Sequence, residues 1–218
     1  MITGDHVLTA TAVAEQLERV WLTGGLPTRV AADARELIEA FFPPALRLAG
    51  LWSTGMEAAE FAIRVARVAT GRRGLLGFAG SMHGKSLATA LLGWDNRDGL
   101  CLPGLHRLPF PEAGREQDVL AAVERALSGE DISAVFLEPI QASHGGRALP
   151  AGFCREVARL ARARGTLVVF DEILTGFHRT GPAFAFEDMN LLPDAVLIGK
   201  ALGNGFPVSA VLLDRAHP

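Results

Sequence analysis

The sequence predicts an α/β fold in which a mostly parallel sheet is covered by helices on both faces. From residue 115 onward, amphipathic helices alternate with short apolar strands that have no polar face for solvent, and this combination is typical of buried parallel sheets. The final strand, 207–213, follows a turn at Gly203-Asn204-Gly205 that is too short for a parallel crossover. We therefore expect the last strand to be antiparallel.

Each predicted helix is bounded by residues that start or stop helices. Two amphipathic segments near the N-terminus stop at Gly-Gly and Pro-Pro pairs. A third helix begins at a capping box of Thr54 and Glu57 and stops before Gly71. In chain order, the predicted elements are helices at 12–23, 29–42 and 55–70, a strand at 74–78, a helical stretch near 86–92, a helix at 115–128, a strand at 132–137, a helix at 151–164, and strands at 166–170 and 195–198.

The composition narrows the class of protein. With 49% hydrophobic and 21% charged residues, the 218-residue chain can bury a substantial core, and the absence of repeats and linkers predicts one domain over 1–218. A net charge of -3 argues against nucleic acid or an anionic membrane as a partner. Cys101 and Cys154 are far apart and form no C-x-x-C motif, so we expect neither a disulfide framework nor a metal site. No signal peptide or membrane span is visible, and we expect a soluble cytoplasmic protein.

Two ionisable residues follow predicted strands at the edge where α/β sheets bind ligands. Asp171 comes directly after LVVF and Lys200 comes just after AVLIG. Burial at the mouth of an apolar strand lowers the pKa of a lysine and frees its amine for Schiff-base chemistry. A carboxylate can keep a pyridine nitrogen protonated, and a helix that begins at Gly55 offers backbone amides to a phosphate. These are the three attachments that pyridoxal 5′-phosphate (PLP) requires.

The same residues lie in segments that resemble one family. DEILTGFHRTG (171–181) and PDAVLIGKALGNGFPVSAV (193–211) closely resemble the class III aminotransferases, a branch of the fold type I PLP enzymes. STGMEAAEFAIRVARVATGR (53–72), GSMHGKS (80–86) and EPIQ (138–141) resemble them too. The resemblance spans almost the whole chain and implies the large, PLP-binding domain of that fold.

The resemblance implies a role for each site residue. Lys200 would form the Schiff base with the cofactor and move the proton at the substrate's α-carbon, and Asp171 would pair with the pyridinium nitrogen. The other implied contacts are Thr54, Gly55 and Met56 at the phosphate, Ile173 and Met82 on the two faces of the ring, His83 beside the cofactor, Glu138 in the substrate-side network, and Lys85, where some ornithine-type members have an arginine for the substrate carboxylate.

Several positions depart from the family pattern. Met82 stands where an aromatic residue is usual, and the chain has no tyrosine. Leu174 stands where the family often has Gln, and apolar residues also occur at this position in the glutamate-semialdehyde aminomutase branch. We interpret His83 as a structural loop residue rather than a catalytic one, and His144 and His178 as surface loop residues.

The resemblance also implies that this chain is truncated at both ends relative to the family. The C-terminal domain would be absent, so that a homodimer mate or a partner chain would have to complete the site for an amino donor and a carbonyl acceptor. Three functions stay open. The chain could be a transaminase-like enzyme, an aminomutase-like PLP enzyme as Leu174 and GKALGNG (199–205) suggest, or a non-catalytic subunit with the same fold.

Overall fold

Helices and strands alternate along the chain in the computed structural model, which describes residues 5–20, 25–94, 101–129 and 131–216. The helices are α1 (Asp5–Arg19), α2 (Arg29–Glu39), α3 (Gly55–Thr70), α4 (Leu87–Gly93), α5 (Glu116–Gly129), α6 (Ala151–Arg162) and α7 (Ala185–Asp188). The strands are β1 (Leu46–Trp52), β2 (Gly74–Phe78), β3 (Leu105–Leu108), β4 (Ile132–Leu137), β5 (Ile140–Gln141), β6 (Arg147–Ala148), β7 (Leu167–Asp171), β8 (Ala195–Ile198) and β9 (Ser209–Asp214).

Within the described residues, one large sheet has the strand order β1-β9-β8-β7-β4-β2-β3. Strands β3, β2, β4, β7 and β8 run parallel to one another, so their carboxyl ends meet at one edge. Strand β9 is antiparallel both to β8 and to β1, which confirms the expected direction of the last strand. A two-stranded ribbon, β5 with β6, follows directly on β4.

The two faces of the sheet carry separate apolar cores, as a sheet covered on both sides requires. Alternate residues of a strand go to opposite faces: Phe136 of β4 joins the core beneath α3, whereas Val135 and Leu137 join the core beneath α5 and α6. Helix α3 presents mainly alanines to the sheet, and their small side chains let the helix lie close to the strands. The buried residues of α3 are Ala58, Ala59, Ala62, Ile63 and Ala66.

Several predicted boundaries were wrong. The first helix lies at Asp5–Arg19 rather than 12–23, and its predicted end at residue 23 falls outside the described residues. Helix α2 ends at Glu39 instead of 42, because the chain already turns ahead of the Pro43-Pro44 pair. The last strand spans Ser209–Asp214 rather than 207–213.

Two strands of the large sheet, β1 and β3, were missed by sequence reasoning, as was the short ribbon of β5 and β6. The register between β1 and β9 shifts between Leu48 and Gly50, and this irregularity breaks the alternation by which a strand is recognised. Strand β3 has only four residues, none of them buried, and it lies at the edge of the sheet. Neither strand therefore has a clear apolar pattern in the sequence.

The described residues contain neither a membrane-spanning helix nor a metal-binding cluster of His, Cys, Asp or Glu side chains. No helix there is long and apolar enough to cross a membrane. No group of three or more His, Cys, Asp or Glu side chains is arranged there to hold a metal ion.

Candidate active site

Asp171, the last residue of β7, is buried at the carboxyl edge of the sheet and both of its carboxylate oxygens have donors. Its Oδ2 lies 2.8 Å from His83 Nδ1, and its Oδ1 accepts a hydrogen bond of 3.2 Å from the Ile173 amide. The side chains of His83 and Asp171 are 0% and 3% exposed, so solvent screens their interaction little. An ionised Asp171 requires the proton of a neutral His83 to be on Nδ1. The carboxylate is thus held in one orientation.

Glu138 follows β4 and lies in the same group of charges. Its Oε2 accepts a hydrogen bond of 2.7 Å from the Met82 amide, which ties the loop after β2 to the end of β4. Burial raises the pKa of the Glu138 carboxyl to about 7, and the negative charge of Asp171 contributes to the rise, against smaller opposing effects of His83, the Met82 bond and Lys200.

Helix α3 begins at the same edge with a capping box. Thr54 Oγ1 accepts from the Glu57 amide at 3.2 Å, and the Glu57 carboxylate accepts from the Thr54 amide at 2.8 Å and from the Thr54 hydroxyl at 2.9 Å. Thr54 is therefore engaged within the cap itself. The amides of Gly55 and Met56 have no carbonyl one turn earlier, and they are the donors that a helix start offers to an anion.

Ile173 lies at the centre of the site. A Cβ atom added to Gly55 would come 2.5 Å from Ile173 Cδ1, and one added to Gly199 would come 3.4 Å from Ile173 Cγ2. The side chain thus fills the space between the helix start and the residue that precedes Lys200. Glycine at position 55 lets the start of α3 approach Ile173 closely, whereas a Cβ atom at position 199 would make only an ordinary van der Waals contact with it.

Lys200 opens a 3₁₀ turn, Lys200–Gly203, directly after β8. Its φ of 40° lies in the left-handed region, which costs a residue with a side chain about 1–2 kcal/mol. Such strain is found mainly where the surrounding structure imposes it, and functional sites are common among these places. The residue is exposed, so the described chain does not bury it as the sequence argument assumed.

The structure brings most of the predicted site residues to one edge and leaves others at its margin. Asp171, Ile173 and Lys200 meet Gly55 and Glu138 there. Lys85 is exposed on the loop that carries Met82 and His83. His144 and His178 are exposed, as expected for surface loops, and Leu174 is half-buried.

Sequence reasoning missed two interactions of this edge. One is the contact of His83 with Asp171, since a pairing of residues 88 positions apart leaves no local pattern. The other is Arg147, which donates to Gln141 at 2.6 Å, to the Ala79 carbonyl at 3.2 Å and to Glu112 at 3.0 Å. Arg147 thereby holds together the loops that follow β2, β3 and β4.

The family model described as "Aminotransferase class-III" matches residues 5–217. The chain belongs to the class III aminotransferases. It is 39% identical to a 2-aminoadipate transaminase of Pseudomonas putida over 193 residues, which cover 81% of this chain and 46% of that protein. It is 36% identical to an acetylornithine aminotransferase of Bacillus subtilis over 213 residues, covering 95% of this chain and 53% of that protein.

The fold of a class III aminotransferase also occurs in solved structures similar to this chain. A phospholyase from Arthrobacter in complex with phosphoethanolamine aligns with a TM-score of 0.85 and 30% identity, over 95% of this chain and 53% of its own. A taurine:2-oxoglutarate aminotransferase from Bifidobacterium kashiwanohense, in complex with PLP and glutamate, aligns with a TM-score of 0.85 at 22% identity, over 95% of this chain and 52% of its own, and this match concerns the fold alone. The chain spans about half the length of the curated relatives it matches.

Proposed function

We propose that this chain is the PLP-binding large domain, residues 1–218, of an aminotransferase that moves an amino group from a small-molecule donor to a carbonyl acceptor. The observation that carries the proposal is the position of Ile173 between Gly55 and Gly199, beside the buried Asp171. In this arrangement a ring-sized ligand would lie on the apolar side chain of Ile173. The carboxylate of Asp171 would meet one end of the ring, and the amides at the start of α3 would meet the other. Membership of the class III family supports the same cofactor.

The residues present fit PLP. Asp171 would hold the pyridine nitrogen, since its carboxylate is fixed by His83 and can accept a further bond. Gly55 and Met56 would hold the phosphate through their amides, and the positive end of the α3 dipole favours its charge. Lys200 would be the covalent attachment point. Ile173 and Met82 would lie on opposite faces of the ring, and the Met82 thioether would pack less specifically than an aromatic ring.

When bound, PLP supplies an electron-withdrawing ring that stabilises negative charge on the substrate's α-carbon. Asp171 would keep the proton on the ring nitrogen, because a fixed, buried carboxylate favours a neighbouring positive charge. Once the substrate's amino group has taken the place of Lys200 on the cofactor, the released Lys200 Nζ would take the proton from the substrate's α-carbon as a general base. Lys85, exposed at the margin, would meet a substrate carboxylate.

The transaminase function is better supported than its alternatives. The curated relatives matched at 39% and 36% identity are transaminases, which favours amino transfer over an aminomutase reaction. Leu174 remains the feature that an aminomutase would share. A non-catalytic subunit would not need Asp171 to be fixed by two donors. Their presence favours a catalytic role, in which Asp171 keeps the cofactor ring electron-withdrawing.

We also propose that the site is completed by a second copy of this chain. An apolar groove of about 460 Å³ runs between α2 and the Lys200 turn, with Ala201 and Leu202 in its wall. Among its lining residues Leu37, Phe41 and Leu51 are 68%, 50% and 42% exposed, and an apolar patch of this kind on a soluble domain is normally covered. A partner chain that supplies the rest of the fold is the alternative outcome.

The assembly proposal is tested by light scattering over a dilution series. A dimer that dissociates when Leu37→Glu is introduced supports self-association through the groove. A chain that stays monomeric until a co-expressed partner is added supports the hetero-assembly. A monomer indifferent to any partner would contradict both.

The same protein is proposed to work in the cytoplasm. Both cysteines are free in the structure, Cys101 at the surface and Cys154 in the core. Unpaired cysteines are typical of a reducing compartment. Localisation of a tagged chain by cell fractionation checks this proposal, and recovery of the chain from an oxidising compartment would contradict it.

The cofactor proposal is tested by chemical trapping. The purified chain mixed with PLP should develop visible absorbance, and borohydride reduction followed by peptide mass mapping should place the pyridoxyl group on Lys200. Lys200→Ala is the control that should lose the label and keep the fold. A label on another lysine, or none, would remove the basis of the proposed function.

The role of Asp171 has a separate test. Asp171→Ala should slow half-transamination more than it weakens PLP binding, because the proposed contact holds the ring nitrogen rather than the phosphate. A loss of affinity with an unchanged rate would contradict the assigned role.

A further inference from the structure

Ser209, the first residue of β9, makes a part-buried hydrogen bond to Thr54, the N-cap residue of helix α3. Its side chain has no exposure to solvent, and its Oγ donates to the Thr54 carbonyl at 2.7 Å, with a longer contact of 3.4 Å to the Trp52 carbonyl. The two residues of the short bond are 155 positions apart. A serine that reaches across the sheet therefore holds the N-cap of the helix.

The position of Ser209 links two parts of the proposed cofactor site. In the register of the sheet Ser209 lies opposite Trp52 of β1, and the next residue, Ala210, lies opposite Ile198 of β8. Gly199 is therefore its neighbour on the other side, and a Cβ atom added there would come 3.5 Å from the Ser209 Cβ. Ser209 lies between the turn that carries Lys200 and the start of helix α3.

The hydrogen bond from Ser209 to the Thr54 carbonyl also fixes the orientation of the Gly55 amide. The Thr54 carbonyl and the Gly55 amide belong to one peptide unit, which is planar and trans, so the C=O and the N–H point in opposite directions. The same carbonyl accepts from the Ala58 amide at 3.2 Å, the first hydrogen bond of the helix. With two donors on the oxygen, the peptide plane cannot rotate freely, and the direction of the Gly55 N–H is set. Donation to the carbonyl also polarises the amide and makes it a better donor.

We propose that Ser209 is a positioning residue for the phosphate of the cofactor, acting through the Thr54–Gly55 peptide. This inference rests on the proposed function, which assigns the phosphate to the amides of Gly55 and Met56. Ser209 itself does not touch the phosphate. It aims the Gly55 N–H at the place where the phosphate oxygen lies, from the strand that follows the Lys200 turn.

A merely structural role for Ser209 would affect every ligand of the site alike. The proposed role affects only ligands with a phosphate. Pyridoxal, which has the ring and the aldehyde of PLP without the phosphate, is therefore the probe that separates the two roles.

The experiment compares Ser209→Ala with a matched control, Ser133→Ala. Ser133 also has no exposure, and its Oγ also donates to a backbone carbonyl at 2.7 Å, that of Gly74, but it lies near the opposite end of the parallel strands. The dissociation constants of PLP and of pyridoxal are measured by absorbance titration of the apo-protein, with circular dichroism to verify folding. The competition of inorganic phosphate with PLP is measured alongside.

Ser209→Ala should weaken PLP binding about 10-fold and leave pyridoxal binding unchanged, since the Gly55 N–H would no longer be held in the direction of its hydrogen bond to the charged phosphate. The inhibition constant of inorganic phosphate should rise in the same variant. Ser133→Ala should change neither dissociation constant. If Ser209→Ala does not fold, Ser209→Cys, which keeps a weak donor of similar size, should show the same selective loss.

Two results would overturn the inference. An equal loss of PLP and pyridoxal affinity in the Ser209 variant would show a structural role, and no loss of either would show no role. Failure of the proposed function has a different signature. The wild type would then bind PLP no more tightly than pyridoxal, or borohydride would label a lysine other than Lys200.

Discussion

The hydrogen bond between His83 and Asp171 should be a measurable contribution to the stability of the apo-protein. His83→Phe removes the Nδ1 donor but keeps an aromatic ring against Phe136, which the His83 ring contacts at 5.5 Å with an interplanar angle of 62°. Nε2 of His83 has no partner among the described residues, so its replacement by a ring carbon breaks no bond. The variant therefore removes one charge-assisted hydrogen bond, against which the loss of the unpaired, buried Nε2 acts as a smaller, stabilising change.

The size of the effect follows from the burial of the pair. A hydrogen bond to a charged group contributes about 1.5–3 kcal/mol, and with side chains 0% and 3% exposed no water replaces the lost donor. For a chain of this length, that corresponds to a decrease in Tm of roughly 3–12 °C. Urea unfolding of the apo-protein, followed by circular dichroism, measures the free energy of unfolding directly.

A double-mutant cycle with Asp171→Asn tests the cause. The side-chain amide that this substitution introduces carries no charge, so His83→Phe should cost less in that background, and the two changes should couple by more than about 1 kcal/mol. The control is Phe136→Leu, which removes the ring contact and should not couple to Asp171→Asn. Additive effects of His83→Phe and Asp171→Asn, within about 0.5 kcal/mol, would refute the reasoning.

Three further predictions use other parts of the chain. The folded protein keeps a proton on Glu138 up to about pH 7, whereas the unfolded chain releases it near 4.5, so the free energy of unfolding should fall by up to about 3 kcal/mol as the pH rises through this interval. Glu138→Gln should flatten the dependence of the urea midpoint on pH, and an unchanged slope would contradict this prediction. Burial raises the pKa of the Cys154 thiol to about 12, so iodoacetamide at pH ~8 should modify Cys101 in the native protein and both thiols only in urea. Peptide mass mapping checks this, and modification of Cys154 in the native protein would contradict its burial in the core. His178→Gly should raise the free energy of unfolding by about 0.5–1 kcal/mol, since Phe177 and His178 are consecutive residues in the left-handed region, with φ of 60° and 61°. A lower urea midpoint would mean that the hydrogen bond between His178 and the Gly181 carbonyl outweighs the backbone strain.

The parts of the fold that were predictable from the sequence are those that depend on nearby residues. Helix α3 was predicted with correct ends, because the Thr54–Glu57 capping box and the left-handed Gly71, at φ 70°, are local signals. Strands 74–78, 132–137 and 195–198 were predicted with correct bounds, since an uninterrupted apolar run carries its own limits. Strand β1 was missed because its identity depends on pairing with β9, which no local pattern records.

The sequence predicted those residues of the candidate site that lie at the ends of predicted strands. Asp171 and Lys200 were expected at one edge because the carboxyl ends of parallel strands meet there. The two donors on Asp171 and the link from Ser209 to Thr54 were not predictable, since both depend on contacts between distant segments. Sequence reasoning also assumed burial for Lys200, and the turn that places it at the surface is a property of the backbone at that residue.

The position of β9 between β1 and β8 has a consequence for how the protein is made. Among the described residues β1 pairs with β9 alone, and Trp52 and Ser209 are 157 positions apart, so β1 leaves the ribosome long before its partner exists. Until then β1 and β8 each present an unpaired edge, which is a template for association with another chain. We expect nascent chains that are halted before residue 209 to depend on chaperones. Release of β9 from the ribosome should then allow β1 and β8 to be joined in one sheet.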